Sequence, residues 1–436
     1  MLSVLYKHHM KKILTLVLIA CCCNCFAQQP NRPVLVAGFP VNYSEDSVGN
    51  YTLPDLFTCS DGKKVTNAKT WLEKRRPELL QMVEAAQYGK MPPRPEVLKF
   101  VIAEEGIPAF NGKAIRKQVT VYFTKDTSQH KMLLLIYLPA QATKPAPVLL
   151  NISFSANCQV TNDPGVRIGD IWSREGKKIK ADQPSRFPPM NIEQFMDAGI
   201  GFATVYYGDI EPDFKQGIKY GIRGQYLKPD QTEPAADEWG SISAWAWGLS
   251  RVMDYFETDK QIDSKRIAVQ GASRLGKTVL WTGINDTRFK MVIASISGEG
   301  GAAIARRNYG ETIQHITDTS RYYYQFAPNY HSYADKVNSL PIDAHTLVAL
   351  MAPRPLLLQT GNTDYWSDPK GEFLSAVAAS PVYSLFGEKG PGNAAMPAAG
   401  DTSLLMNKLG YYMHDGGHTV LPEDWVHFIT YMKKHL

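Results

Sequence analysis

A serine set between glycines, in Gly271-Ala272-Ser273-Arg274-Leu275-Gly276-Lys277, carries the clearest chemical signal in the chain. It follows a short strand-like stretch at 266–270 and opens an apolar helical pattern over 275–284. A serine at such a strand-to-helix turn projects its hydroxyl from the carboxyl end of a strand. Small neighbours let the turn close, and the helix amides point at developing negative charge. That is the equipment of nucleophilic acyl transfer. The usual spacing is G-x-S-x-G, whereas here the second glycine comes one residue later. The bland alternative is a serine that merely caps the helix.

A serine nucleophile needs a base and an orienting acid, which in this chain order follow it as Asp or Glu and then His. Of the ten histidines, His414 ends an apolar run and His418 closes the turn Asp415-Gly416-Gly417-His418. The glycines free that turn to aim His418 back at Ser273, so His418 ranks above His414. For the acid, the run at 355–360 leads into Gly361-Asn362-Thr363-Asp364-Tyr365-Trp366-Ser367-Asp368-Pro369. Asp364, nearest the end of the run, is the choice. Asp368, just before proline, reads as a turn former, and either could cap a helix.

The elements that must position these groups alternate. Residues 118–123 and 131–139 read as neighbouring strands. The nearly continuous apolar runs at 147–154 and 199–207 suit strands buried on both faces of a parallel sheet. Residues 67–88, 237–257, 275–284 and 423–434 have helical spacing, and strands are expected at 266–270, 290–296, 355–360 and 409–414. This alternation predicts one doubly wound, mostly parallel sheet flanked by helices, a three-layer α/β sandwich. Residues 28 to about 110 read as an N-terminal extension of a single catalytic domain that runs to 436. Residues 387–400 read as a flexible loop.

The 436 residues, 44% hydrophobic and 20% charged, have ordinary globular composition. A net charge of +5 does not argue for a nucleic-acid footprint, which needs a clustered basic face, and no nucleic-acid partner is expected. Lys7, Lys11 and Lys12, an apolar stretch at 13–23 and the Ala27-Gln28 junction resemble an export leader. The stretch is too short for a membrane span, which takes ~20 residues. Cleavage after Ala27 would release a soluble, periplasmic or extracellular protein. Acylation at Cys21 would instead give an outer-membrane lipoprotein. Four of the six cysteines lie in the leader; whether Cys59 and Cys158 pair stays open. No His/Asp/Cys spacing suits zinc, no cofactor is implied, and a monomer is expected.

Several segments together resemble the glucuronoyl esterases, a carbohydrate esterase family with the α/β-hydrolase fold. They are 271–277, Ser297-Gly298-Glu299-Gly300-Gly301, Arg306-Arg307-Asn308-Tyr309-Gly310-Glu311, Ala352-Pro353-Arg354-Pro355-Leu356, 364–369 and the Gly-Gly-His turn. The resemblance implies hydrolysis of esters of (4-O-methyl-)glucuronic acid, including those joining glucuronoxylan to lignin alcohols. It implies Ser273 as nucleophile, His418 as base, and Arg274 as oxyanion donor through its amide and guanidinium. Lys277 and Glu311 would hydrogen-bond sugar hydroxyls, and Trp366 would line the uronate pocket. Some members carry the acid as a glutamate directly before the Ser-Gly-x-Gly-Gly segment. Here that position is Ile296, with Glu299 displaced from it, while an aspartate two residues before the tryptophan corresponds to Asp364. The competing expectations are an acetyl xylan esterase or other carbohydrate deacetylase, and a non-catalytic glycan-binding lipoprotein. The cationic pair Arg274 and Lys277 favours a uronate over an acetyl group.

Overall fold

Apolar residues at alternating positions build the centre of the molecule. In the computed structural model, which describes residues 32–173 and 175–436, nine strands form one sheet. They are β1 (Lys99–Ala109), β2 (Ala114–Tyr122), β3 (Lys131–Pro139), β4 (Ala146–Ser153), β5 (Gly201–Tyr206), β6 (Ile262–Ala272), β7 (Met291–Ser295), β8 (Leu356–Gly361) and β9 (Leu409–His414). Their order across the sheet is β9-β8-β7-β6-β4-β5-β3-β2-β1. The six strands β4 to β9 pair in parallel, and β1, β2 and β3 add an antiparallel flank.

The period-2 alternation sorts side chains into two cores, one on each face. Val148, Leu150, Ile267, Val269, Leu356 and Leu358 join one core, with helices α2 (Ser241–Phe256), α3 (Arg274–Asn285), α4 (Ala344–Leu350) and α5 (Pro369–Ser384). A helix over residues 68–88, α1, adds Trp71, Leu79 and Val83 to the same side. Leu149, Ala268, Ile293 and Leu357 face the other core, which α6 (Pro422–His435) covers with Phe428, Tyr431 and Met432. Helices on both faces of a mainly parallel sheet make the expected three-layer α/β-hydrolase arrangement.

Two elements depart from the sequence-based expectation. Strand β1 lies within what the sequence reads as an N-terminal extension. Most of its residues are exposed and it contains Gly106 and Pro108, so neither strict alternation nor composition marks it as a strand. It forms because β2 offers it an edge. Helix α5 is buried on several sides and filled with small residues (Ser375, Ala376, Ala379, Ser380), so no single apolar stripe announces it.

The described residues before Asn42 form a separate unit, a hairpin of Leu35–Val36 with Phe39–Pro40. The leader expected over 1–27, with Cys21, lies outside the described residues. Cys59 and Cys158 are free thiols. Among the described residues, no helix is long and apolar enough to cross a membrane.

Candidate active site

Strand β6 ends at Ala272 and α3 starts at Arg274, so a single residue makes the turn. That residue is Ser273, with φ 58° and ψ −127°, a left-handed conformation costly for any side chain. Its hydroxyl makes no capping bond to α3. Instead Ser273 Oγ lies 2.9 Å from His418 Nε2. The displaced second glycine has a spatial reason: a Cβ on Gly276 would sit 2.6 Å from the Ser295 carbonyl oxygen at the end of β7. Glycine is needed where the helix touches the neighbouring strand, and here that contact falls one residue later.

The other ring nitrogen of His418, Nδ1, lies 2.6 Å from Asp364 Oδ2 and 3.0 Å from Ser367 Oγ. Asp364 follows β8 by three residues and its side chain is buried. Serine, histidine and aspartate thus stand in one chain of hydrogen bonds, able to pass a proton from a nucleophile to an imidazole whose far side is held by a carboxylate. The loop bearing His418 sits tight on the end of β8. A Cβ on Gly361 would come within 2.5 Å of the Gly417 oxygen, 2.6 Å of the Gly416 oxygen and 2.7 Å of His414 Nε2.

The rival candidates are engaged elsewhere. Asp368 caps α5 by accepting from Gly371 N at 2.9 Å and pairs with Arg307 at 2.8 Å. Glu299 accepts from Tyr330 Oη at 3.1 Å, and burial pushes its carboxyl well above the usual range. Ile296 is buried and its N–H donates to Gln359 O at 2.6 Å. His414 is buried against Asp424 at 2.8 Å.

Two cavities of opposite character meet at Ser273. The first, about 220 Å³, is lined by Arg274, Lys277, Glu311, Arg321, Gln325 and Trp366 among others. Lys277, one turn along α3, is buried rather than solvated. Burial pulls its ammonium below the ordinary lysine range, while Glu311 pulls the other way. Among the described residues, no carboxylate lies within 4.0 Å of it. Glu311 accepts from Arg321 Nη2 at 3.1 Å, and its N–H donates to Trp366 O at 2.8 Å. Arg321 lies over the Trp366 ring at 5.3 Å. The second cavity, about 500 Å³, is mainly apolar: Phe154, Phe187, Met190, Val420 and Trp425 line it, and Phe154 stacks on Phe187 at 5.9 Å.

Arg274 borders both cavities. Its guanidinium lies over Tyr322 at 4.4 Å and pairs with Asp213. Asp213, Arg321, Gln325 and Ser367 have no place in the sequence-based reading. Each comes from an irregular connection or a single short helical turn (Gln325 from 323–325, Ser367 from 365–367), and only Ser367 falls in a segment that the sequence singles out.

A family model described as glucuronyl esterase, fungi, matches residues 233–387. The chain is 42% identical to a carbohydrate esterase of an unknown prokaryotic organism, over 98% of this chain and 99% of that one. It is 27% identical to a 4-O-methyl-glucuronoyl methylesterase of Schizophyllum commune, over 83% of this chain and 78% of the relative. Among solved structures, a glucuronoyl esterase from Solibacter usitatus is similar at a TM-score of 0.84 and 45% identity, covering 89% of this chain and 99% of that one.

Proposed function

Since the chain belongs to the glucuronoyl esterases of carbohydrate esterase family fifteen, we propose that it hydrolyses esters of (4-O-methyl-)glucuronic acid at Ser273. It is a carboxylic ester hydrolase. The observation that carries the substrate reading is the pairing of cavities at the nucleophile. An ester has an acyl side and an alcohol side. The smaller cavity, with Lys277, Glu311 and Arg321 in its wall, offers donors and an acceptor to a sugar acid bearing several hydroxyls. An acetyl group has no hydroxyl to accept from Lys277 or to donate to Glu311, so this wall of the cavity would add nothing to its recognition. The larger apolar cavity suits an aryl-bearing alcohol such as a lignin alcohol.

Ser273 Oγ attacks the ester carbonyl carbon while His418 Nε2 takes its proton. Asp364 and Ser367 hold His418 Nδ1 and so fix the tautomer that leaves Nε2 free to accept. The carbonyl oxygen becomes an oxyanion beside the first turn of α3, whose N–H groups have no partner within the helix. The Arg274 amide and guanidinium donate to it, an interaction that strengthens only as charge develops. The carbon–oxygen bond to the alcohol then breaks, and the His418 imidazolium protonates the departing oxygen. Water repeats the sequence on the acyl-serine: His418 takes its proton, the serine ester bond breaks, and Ser273 recovers a proton as the uronate leaves. The reaction uses these side chains without a cofactor. Export, by release after Ala27 or by acylation at Cys21, and a monomeric state complete the proposal, the first resting on residues 1–27 of the sequence.

Turnover of benzyl glucuronate against an aryl acetate tests it. A kcat/KM for the uronate ester at least tenfold higher is expected; a marked preference for the acetate would replace this reading with a deacetylase.

A further inference from the structure

Asp213 lies in the loop after β5, and its side chain is 5% exposed. Four donors from three separate segments converge on its carboxylate. Tyr324 Oη donates to Oδ1 at 3.0 Å and Gln325 Nε2 to the same oxygen at 2.7 Å. Tyr207 Oη donates to Oδ2 at 3.3 Å, and Arg274 Nη1 donates to that oxygen too. A carboxylate has about four lone-pair sites, so Asp213 is saturated.

Arg274 is the opposite case. Nη1 to Asp213 is the one hydrogen bond its guanidinium makes among the described residues. The rest of the group rests on Tyr322 at 4.4 Å and Phe154 at 5.9 Å, at the border of the two cavities. A long side chain with several rotatable bonds loses much entropy when it is held. A charge-assisted bond to a carboxylate that is itself pinned from three sides meets that cost before substrate arrives. The remaining N–H groups of the fork stay available to the cavity border.

We propose that Asp213 is a positioning residue for the esterase reaction: it holds one edge of the Arg274 guanidinium so that the other N–H groups meet the oxyanion. Through Gln325, which also lines the uronate cavity, the same carboxylate ties that wall to Arg274. This inference rests on Arg274 acting as an oxyanion donor, the role given to it above.

The test is a double-mutant cycle on benzyl glucuronate, with kcat and KM measured separately and thermal unfolding followed in parallel. Arg274→Gln keeps the backbone amide and should lower kcat about 100-fold, the scale of one lost oxyanion donor. Asp213→Asn should lower kcat about tenfold or more with KM changed less than about twofold, the signature of an interaction made in the transition state. In the Arg274→Gln background, Asp213→Asn should cost nothing further. Should Asp213→Asn fail to fold, Tyr324→Phe removes one support of the carboxylate, and its smaller kcat loss should likewise vanish without Arg274. Equal losses with and without Arg274 would overturn the positioning role while leaving Arg274 as a donor. Wild-type kcat in Arg274→Gln would overturn the donor role itself, and the inference with it.

Discussion

Two histidine–carboxylate pairs sit four residues apart at the end of β9, and they are built for different ends. His414 lies 2.8 Å from Asp424, with side chains 1% and 0% exposed. His418 lies 2.6 Å from Asp364, with the histidine 42% exposed. The couples are nearly alike in length and type. They differ in what the second ring nitrogen faces. His414 Nε2 meets the Gly417 carbonyl at 3.2 Å, a backbone acceptor that can never give or take a proton in the reaction. His418 Nε2 meets a serine hydroxyl beside two cavities. The histidine–carboxylate couple alone therefore says nothing about catalysis; the partner of the free nitrogen decides. The first pair also serves the second, since Gly417 directly precedes His418.

The largest effect should separate the two histidines outright. His418→Ala should lower kcat about a million-fold, as loss of the base does in a serine hydrolase. His414→Ala should instead cost about 3 kcal/mol of stability, because Asp424 is left buried without its partner. Its kcat should fall only about 10-fold to 100-fold, the scale of a misplaced group. Kinetics and denaturant unfolding of both variants check this; a stable His414→Ala protein with no turnover would reverse the assignment. Next in size, Asp364→Asn should lower kcat about 10⁴-fold with the fold intact, whereas Asp424→Asn should act mainly on the unfolding midpoint.

The third prediction concerns pH. Burial pulls His414 down, but Asp424 more than offsets it, and the net shift is above the ordinary 6.5. A base raised on folding stabilises fully below its unfolded pKa and loses that contribution as pH rises through the folded one. The stability gap between wild type and His414→Ala should thus be widest below pH 6.5 and narrow above it. Constancy of the gap from pH 5 to 9 would show that His414 is not held as a cation.

The last prediction concerns a carboxylate with no histidine. Glu372 is fully buried, accepts from Gly298 N at 2.7 Å, and is pushed up to about 8, by burial first and by Asp364 among its neighbours. An acid raised on folding loses stability as pH climbs from its unfolded to its folded value. Glu372→Gln should therefore leave stability little changed near pH 4.5 and increase it progressively towards pH 8. A uniform loss at all pH values would mean that the carboxyl's shape, not its charge, matters there.

What the sequence makes legible follows from how local the cause is. Strand β9 matches its expected span of 409–414 because every residue in it is buried, and apolar runs record burial directly. The elbow and the Gly-Gly-His turn are legible for a similar reason: their chemistry depends on immediate neighbours. Asp364 is placed by its distance from the end of a strand. Asp213 and Arg321 are not legible, because what brings them to Arg274 and Glu311 is the course of long loops. Lys277 is placed in the sequence only by the family resemblance, and the contact of α3 with the sheet buries it. Strand β1 is decided by its partner rather than by its own composition.

Gly361 leaves the catalytic loop no clearance. With hypothetical contacts of 2.5 to 2.7 Å to the oxygens of Gly416 and Gly417 and to His414 Nε2, not one added carbon fits between β8 and the loop it faces. The seat and the latch are a single joint, and the base stands assembled against Ser273 before any ester arrives. A methyl group at 361 would act like a shim in a bearing: it would touch no reacting atom, yet it would lift His414 and His418 off their seats together.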